Sequence, residues 1–240
     1  MDSAVSRHGI KARYQGTVAK GGTSQSGPAR GDGDTVNDVS QQSVILASAS
    51  PRRRELLEQL GLTPQVTSAD IDETPLVGED TSDYVLRLSL SKARKVADQL
   101  HSKKVVLAAD TVIDFRGKIM GKPDCLQQSV EMLSQLSAQT HQVLTGVTVI
   151  CGAAVESLAV ATSVTMRDIS ENEIRAYWQT GEPLGKAGSY AIQGKAARFI
   201  KTICGSYSNV VGLPLFETAA MLTRFGIRFD DLETSPAQEN

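Results

Sequence analysis

Apolar residues recur along this chain with two different periods, and the switches between them mark out its elements. Val44, Ile45 and Leu46 form a short continuous apolar run, which reads as a strand covered on both faces. The run ends in small residues. Ser50 and Pro51 then predict a helix start, with serine at the N-cap and proline at the first helical position. Leu56, Leu57 and Leu60 supply that helix's buried stripe. "TPQVTSA" reads as a further strand. From Thr81 or Ser82 to about Leu100 a helical period carries Leu86, Leu90, Ala93, Ala97 and Leu100. "KKVVLAADTVIDF" is a buried strand running toward a turn at Arg116-Gly117, and Asp124 with Gln127 makes a capping-box pattern opening a helix to about Leu136. "HQVLTGVTVIC" alternates, turns at Gly152 and returns as "ESLAVATSVTM", a hairpin. Ser170 and Glu173 form a second capping box before "IRAYWQ", and Gly181 ends that helix. A strand near "RFIKTIC" and a helix from Pro214 to about Phe225 complete the pattern. Interleaved strands and helices with one internal hairpin predict an α/β protein built on a mixed sheet.

The two ends depart from this pattern. Residues 1–42 are rich in Gly, Ser and Asp with no apolar period, which predicts a disordered N-terminal tail, and residues 230–240 a second short tail. The globular domain is therefore 43–229. An Arg and Lys bias in the first thirty or so residues is a faint feature of transit peptides, but no amphipathic stripe accompanies it, and the untargeted, cytoplasmic reading is preferred. The chain carries 25 basic and 27 acidic residues, a net charge of −2, so no global field draws it to nucleic acid or membrane. No apolar run approaches the roughly 18 residues of a membrane span. Cys125, Cys151 and Cys204 are an odd, scattered set without a C-x-x-C motif, and read as reduced core cysteines.

One local conflict changes the picture. Arg52, Arg53 and Arg54 crowd the first turn of the first predicted helix, the positive end of its dipole, where each cation costs up to ~1 kcal/mol. Free backbone N–H groups at such a turn make an anion site. Guanidinium groups there are unfavourable in an empty site and favourable beside phosphates. Pairing with Glu55 or Glu58 accounts for one arginine, at most two. Three further features bear on chemistry. Asp70, Asp72 and Glu73 cluster in "SADIDETP", a donor set suited to a hard cation such as Mg²⁺, although acidic loops are usually only solvated. Asp110 interrupts the apolar run of "VVLAADTV", where a carboxylate is costly unless paired or metal-bound, although a lone aspartate at a strand end is often a turn former. Lys92 shares a helical arc with Val85, Leu88 and Val96, and Lys122 stands between Gly and Pro; a lysine on such an arc either snorkels or reaches a phosphate. "GEPLGKAG" is one residue short of a P-loop and lacks its Ser/Thr. The three histidines lack zinc-ligand spacing, and no serine or cysteine sits in a nucleophile motif.

Taken together, "LASASPRRRELL", "DIDET", "LSLSKA", "AADTV", "GKP", "HQVLTGV", "GKAGSYAIQG" and "GSYSNVVGLPL" resemble, in order and spacing, the Maf family of nucleoside triphosphate pyrophosphatases from about Val44 to Phe225. The resemblance implies a fold like that of inosine triphosphate pyrophosphatases, a twisted mixed β-sheet flanked by helices around a deep cleft, in a protein that is usually a homodimer. It implies hydrolysis between the α- and β-phosphates with a divalent metal, Mg²⁺ or Mn²⁺. Ser50, Arg52, Arg53, Lys92 and Lys122 match the family's phosphate-handling positions. Glu73 matches its metal-linked acid, and Asp110 its proton acceptor, also counted toward the metal. Arg52, Thr111 and Gln193 match the positions that separate the branches, and "SYAIQG" resembles the branch acting on dTTP and UTP, including modified uridine nucleotides. A glutamine amide offers a donor and an acceptor to a pyrimidine edge. Ser189 stands where Gly or Ala is more usual. In the mechanism this implies, metal bridges the triphosphate, the cations neutralise the leaving pyrophosphate, and Asp110 deprotonates the attacking water. Two rivals remain: the sister branch acting on 7-methyl-GTP, and a non-catalytic nucleotide or nucleic-acid binder regulating cell division. Near-neutral charge and the lack of interleaved aromatics weigh against extended nucleic-acid binding.

Overall fold

The computed structural model describes residues 11–15, 43–100 and 104–229. Its strands are β1 (Lys11–Gln15), β2 (Val44–Leu46), β3 (Gln65–Val66), β4 (Val105–Phe115), β5 (Lys118–Met120), β6 (Thr140–Cys151), β7 (Ala154–Met166) and β8 (Ile200–Cys204). Its helices are α1 (Pro51–Glu58), α2 (Thr81–Leu100), α3 (Leu126–Leu136), α4 (Glu171–Trp178), α5 (Tyr207–Val211) and α6 (Leu215–Arg224), with 3-10 turns at Ala187–Ser189 and Lys195–Phe199. The strands form one sheet in the order β1-β7-β6-β4-β2-β3, with β5 paired to β4 and β8 to β7. β2 runs parallel to both β3 and β4, and the other pairings are antiparallel. This is the mixed α/β sheet expected.

Alternation decides which face each residue covers. Ile45, Val106 and Ala108 pack with Ala93 and Val96 of α2 on one face. Val44, Leu46 and Leu107 pack with Leu57 of α1 and Met221 of α6 on the other. Both faces are covered, so the central strands are continuously apolar. Helix α2 approaches the sheet unusually closely at Gly146 of β6, where a Cβ would lie 2.3 Å from the Val85 carbonyl oxygen. Gly146 pairs directly with Asp110 across the β4–β6 ladder. β2 stops at Leu46 while β4 runs on to Phe115, so the edge of β4 around Asp110 is left uncovered by its parallel neighbour.

Several local expectations are corrected. Inside the stretch read as a featureless tail, Lys11–Gln15 pair with β7 at the edge of the sheet; the rest of residues 1–42, any targeting segment there, and the C-terminal tail lie outside the described residues. The Asp124–Gln127 box does not form: α3 begins one residue later with Cys125 as N-cap, and the Gln128 side chain accepts from the Asp124 N–H at 2.7 Å instead. "TPQVTSA" pairs only at Gln65–Val66, and "RFIKTIC" is divided between a 3-10 turn and β8. β5 and α5 were not foreseen, being three and five residues long. The Ser170–Glu173 box is present in both directions. The cysteines are not core residues: Cys125 and Cys204 are exposed and Cys151 is partly buried.

Candidate active site

At the open edge of β4 lies a cavity of about 420 Å³, large enough for a nucleotide. Ser50, Arg52, Arg53, Glu73, Lys92, Asp110, Thr111, Lys122 and Gln193 all line it. The three arginines that conflicted with the α1 dipole separate by direction. Arg54 points out and pairs with Glu58 at 3.3 Å, one turn on. Arg53 points in: its guanidinium donates to the Gly212 carbonyl at 2.8 Å, to Ser48 Oγ at 3.0 Å and to Thr111 Oγ1 at 3.0 Å. Arg52 lines the cavity with its Nε buried and without a hydrogen-bond partner among the described residues. Burial lowers the pKa of both Arg52 and Arg53, against the opposing pull of Glu55 on the first and Asp110 on the second. No acidic side chain occupies the first turn of α1. A buried donor at a helix N-terminus is a group suited to an anion.

Lys92 ties the two carboxylates together. Its Nζ lies 2.6 Å from Asp110 Oδ1 and 2.6 Å from Glu73 Oε1. The arc of Val85, Leu88 and Val96 is fully buried and carries Lys92 with it, so this lysine does not snorkel to solvent. The loop bearing Glu73 is pinned by the Tyr84 hydroxyl, which donates to the Glu73 carbonyl at 2.8 Å; burial pushes the Tyr84 pKa up to about 12, so the hydroxyl stays protonated. Burial pushes the Glu73 carboxyl upward, but the Lys92 bond and the charges of Lys92, Lys122 and Arg53 outweigh it and hold it below its ordinary value. The acidic cluster read from the sequence comes apart here. Asp72 turns back to accept from the Thr74 N–H at 2.9 Å, Asp70 is exposed, and only Glu73 reaches the cavity.

The donor set bears on the expected metal. Among the described residues no group of three or more His, Cys, Asp or Glu is disposed to hold an ion. Glu73 and Asp110 alone supply two hard oxygen ligands. That fits a magnesium-type ion, which takes one or two carboxylates and completes its shell with water and substrate phosphate.

Other expectations are redirected. Ser50 occupies the N-cap position, but its side chain makes no cap bond, which leaves the hydroxyl to the cavity. The Thr111 hydroxyl is engaged by Arg53 and by Thr145 Oγ1 at 2.9 Å, so it braces the arginine. That brace continues through Thr145 to the Asn209 carbonyl at 3.2 Å, and the Asn209 amide is tied to the Val143 carbonyl at 3.0 Å. This explains the "GSYSNVVGLPL" segment, whose Gly212, at φ 134°, presents its carbonyl to Arg53. Ser189 points away from the cavity, its buried hydroxyl 2.6 Å from Ser129 Oγ. Lys186 was missed. It belongs to the stretch dismissed as a failed P-loop, yet it lines the cavity. Burial and the nearby charges of Arg52 and Lys122 lower its pKa, with Glu182 opposing them. The signal was its place between two positive-φ glycines, Gly185 and Gly188, which form a rigid turn. The lining thus carries five cationic side chains against two carboxylates. Ile113, Val143, Tyr190 and Ile192 add apolar surface for a base.

Comparison with known proteins supplies independent information. A family model described as Maf-like protein matches residues 43–225. A dTTP/UTP pyrophosphatase of Colwellia psychrerythraea is 50% identical over 198 residues, covering 80% of this chain and 93% of that protein. One of Myxococcus xanthus is 49% identical over 190 residues, covering 79% and 96%. Among solved structures, the Staphylococcus aureus Ham1 protein superposes with a TM-score of 0.39 at 14% identity, over 52% of this chain and 72% of that one.

Proposed function

This chain belongs to the Maf-like protein family, and from that premise we propose that it is a nucleoside triphosphate pyrophosphatase that hydrolyses dTTP and UTP, and modified uridine nucleotides, to the monophosphate and pyrophosphate. The observation that carries the reading is the charge of the cavity: five cations face two carboxylates at the mouth of α1, in a chain whose net charge is −2. Such a local excess suits a triphosphate, and relatives about half identical over most of their length bear the name of this activity.

In this mechanism Arg52, Arg53, Lys122 and Lys186 gather the phosphates, and Ser50 presents a hydroxyl to them. Asp110 accepts the proton of a water that attacks the α-phosphorus in line. The bond between that phosphorus and the bridging oxygen to the β-phosphate breaks, and pyrophosphate leaves with the electron pair. Lys92 holds Asp110 and Glu73 in register and balances their charge. A divalent cation, Mg²⁺ or Mn²⁺, held by Glu73 and Asp110, would supply further neutralisation of the polyphosphate when bound. Most of the acceleration then comes from charge fixed in advance of the reaction. Gln193, exposed in the lining, offers its amide to the pyrimidine edge. A homodimer in the cytoplasm belongs to the same reading, and the family resemblance is its support.

Pyrophosphate release from dTTP, UTP, CTP and 7-methyl-GTP, measured side by side with Mg²⁺, tests the assignment. dTTP and UTP should lead. Faster turnover of 7-methyl-GTP would assign the sister branch instead, and binding without any pyrophosphate would favour a non-catalytic role. Asp110→Asn should bind dTTP but lose turnover on the order of 10²–10⁴-fold.

A further inference from the structure

Gln193 sits in an irregular stretch between the two 3-10 turns, and its own side chain makes no hydrogen bond among the described residues. Its position therefore depends on what holds the backbone beside it. Behind that backbone lies Glu182. Gly194, the N-cap of the Lys195–Phe199 turn, has no side chain with which to cap it. The Glu182 carboxylate takes that place from another loop: Oε2 accepts from the Lys195 N–H at 2.8 Å and Oε1 from the Ala196 N–H at 3.3 Å. The contact is close enough that a Cβ on Gly194 would lie 2.3 Å from Oε1. The same Oε1 also accepts from the Tyr177 hydroxyl at 2.6 Å. The same hydroxyl accepts from the Ala191 N–H at 3.2 Å. Tyr177 is fully buried, with its ring edge-on to Phe199 at 5.4 Å. The backbone N–H groups of Ala191 and of Lys195 are thus held by a single Tyr177–Glu182 unit, and Gln193 lies between the two fixed points.

We propose that Glu182, with Tyr177, is a positioning residue for nucleobase selection: the pair clamps the Ala191–Gly194 turn so that the Gln193 amide is held toward the base in the cavity. Glu182 touches neither phosphate nor base and acts through Gln193. The inference rests on the reading of this chain as a dTTP/UTP pyrophosphatase. A carboxylate that merely capped a turn would support folding and nothing more, so the test asks whether its effect passes through Gln193.

The experiment compares Glu182→Ala, Glu182→Gln and Tyr177→Phe, each alone and combined with Gln193→Ala, in KM and kcat for dTTP, UTP and CTP and in melting temperature. Glu182→Ala should raise KM for dTTP roughly 3- to 10-fold, the worth of one or two hydrogen bonds, and narrow the preference over CTP, with kcat falling less than KM rises. Glu182→Gln, which keeps one acceptor oxygen, should recover part of the loss, and Tyr177→Phe should shift KM in the same direction. With Gln193→Ala in place the Glu182 effect should vanish. The same KM change with and without Gln193, or a loss of kcat at unaltered selectivity, overturns the inference. Should Glu182→Ala not fold, Tyr177→Phe and Glu182→Gln carry the comparison, and parental values for both overturn it. If the parent releases no pyrophosphate from dTTP or UTP, the proposed function has failed. The clamp is then read from dTTP binding by calorimetry, where equal affinities for parent and variants overturn it and weaker binding by the variants supports it.

Discussion

Arg53 and Arg54 are adjacent and chemically identical, and they differ in everything that surrounds them. Arg54 meets Glu58 one turn along its own exposed helix face, an interaction worth only a few tenths of a kcal/mol in water. Arg53 meets Gly212, 159 residues away. Which arginine does which is decided by the 100° between successive side chains on a helix and by where the sheet lies. His141 shows the same dependence on setting. It is buried in β6 with Nε2 2.8 Å from the Tyr190 hydroxyl and Nδ1 without a partner among the described residues. Burial pushes its pKa down to about 4, from an ordinary 6.5. Below that ordinary value the unfolded chain takes up a proton that the folded chain refuses until about pH 4. The stability His141 confers is therefore complete above pH 6.5 and lost as pH falls toward 4, an amount on the order of 3 kcal/mol. Urea unfolding at about pH 7.5 and about pH 4.5 should show this loss in the parent, and His141→Gln should flatten it.

Between elements, the decisive contact is that of α2 with the β4–β6 pair. Four positions on α2 and the sheet are linked by three contacts: Val85 lies on Gly146, Gly146 pairs with Asp110, and Lys92, two turns beyond Val85, bonds Asp110. A glycine inside a strand is unfavourable by itself and marks a close backbone approach. Here the approach brings a helical lysine within reach of a strand carboxylate. Gly146→Ala should force α2 outward, lower stability by roughly 1–3 kcal/mol, and reduce pyrophosphate release by more than the loss of folded protein explains. Activity per folded molecule, from circular dichroism and turnover on the same sample, reads this. Unchanged specific activity would detach the helix contact from the site.

For the whole molecule, a net charge of −2 conceals a cavity whose lining is cationic by three. Repulsion among Arg52, Lys122 and Lys186 makes the empty site electrostatically unfavourable, and a bound polyanion relieves it. A non-hydrolysable dTTP analogue should therefore raise the melting temperature even with a chelator present, by about 2.7 kcal/mol of stability at a hundredfold excess over its Kd. Added salt should shrink the shift. No shift in low salt would mean that these cations do not face a common ligand.

Whatever depends on near neighbours was legible in the chain alone. Continuous apolar runs located the central strands, alternation the hairpin and a period of 3.6 the long helices; the Ser170–Glu173 box was readable because its partners are three residues apart, and the crowding of arginines at one helix start was visible as an electrostatic conflict. Short elements such as β5 and α5 escaped because three to five residues define no period, and the cysteines were misplaced because burial follows from packing rather than from residue type. Which acid of "SADIDETP" reaches the cavity, whether Lys186 joins it, and the capping of a turn by Glu182 from another loop were all settled by packing. Those outcomes rest on contacts between distant segments, whose geometry is set by the twist of the sheet and the closeness of α2, and no rule of local spacing contains them.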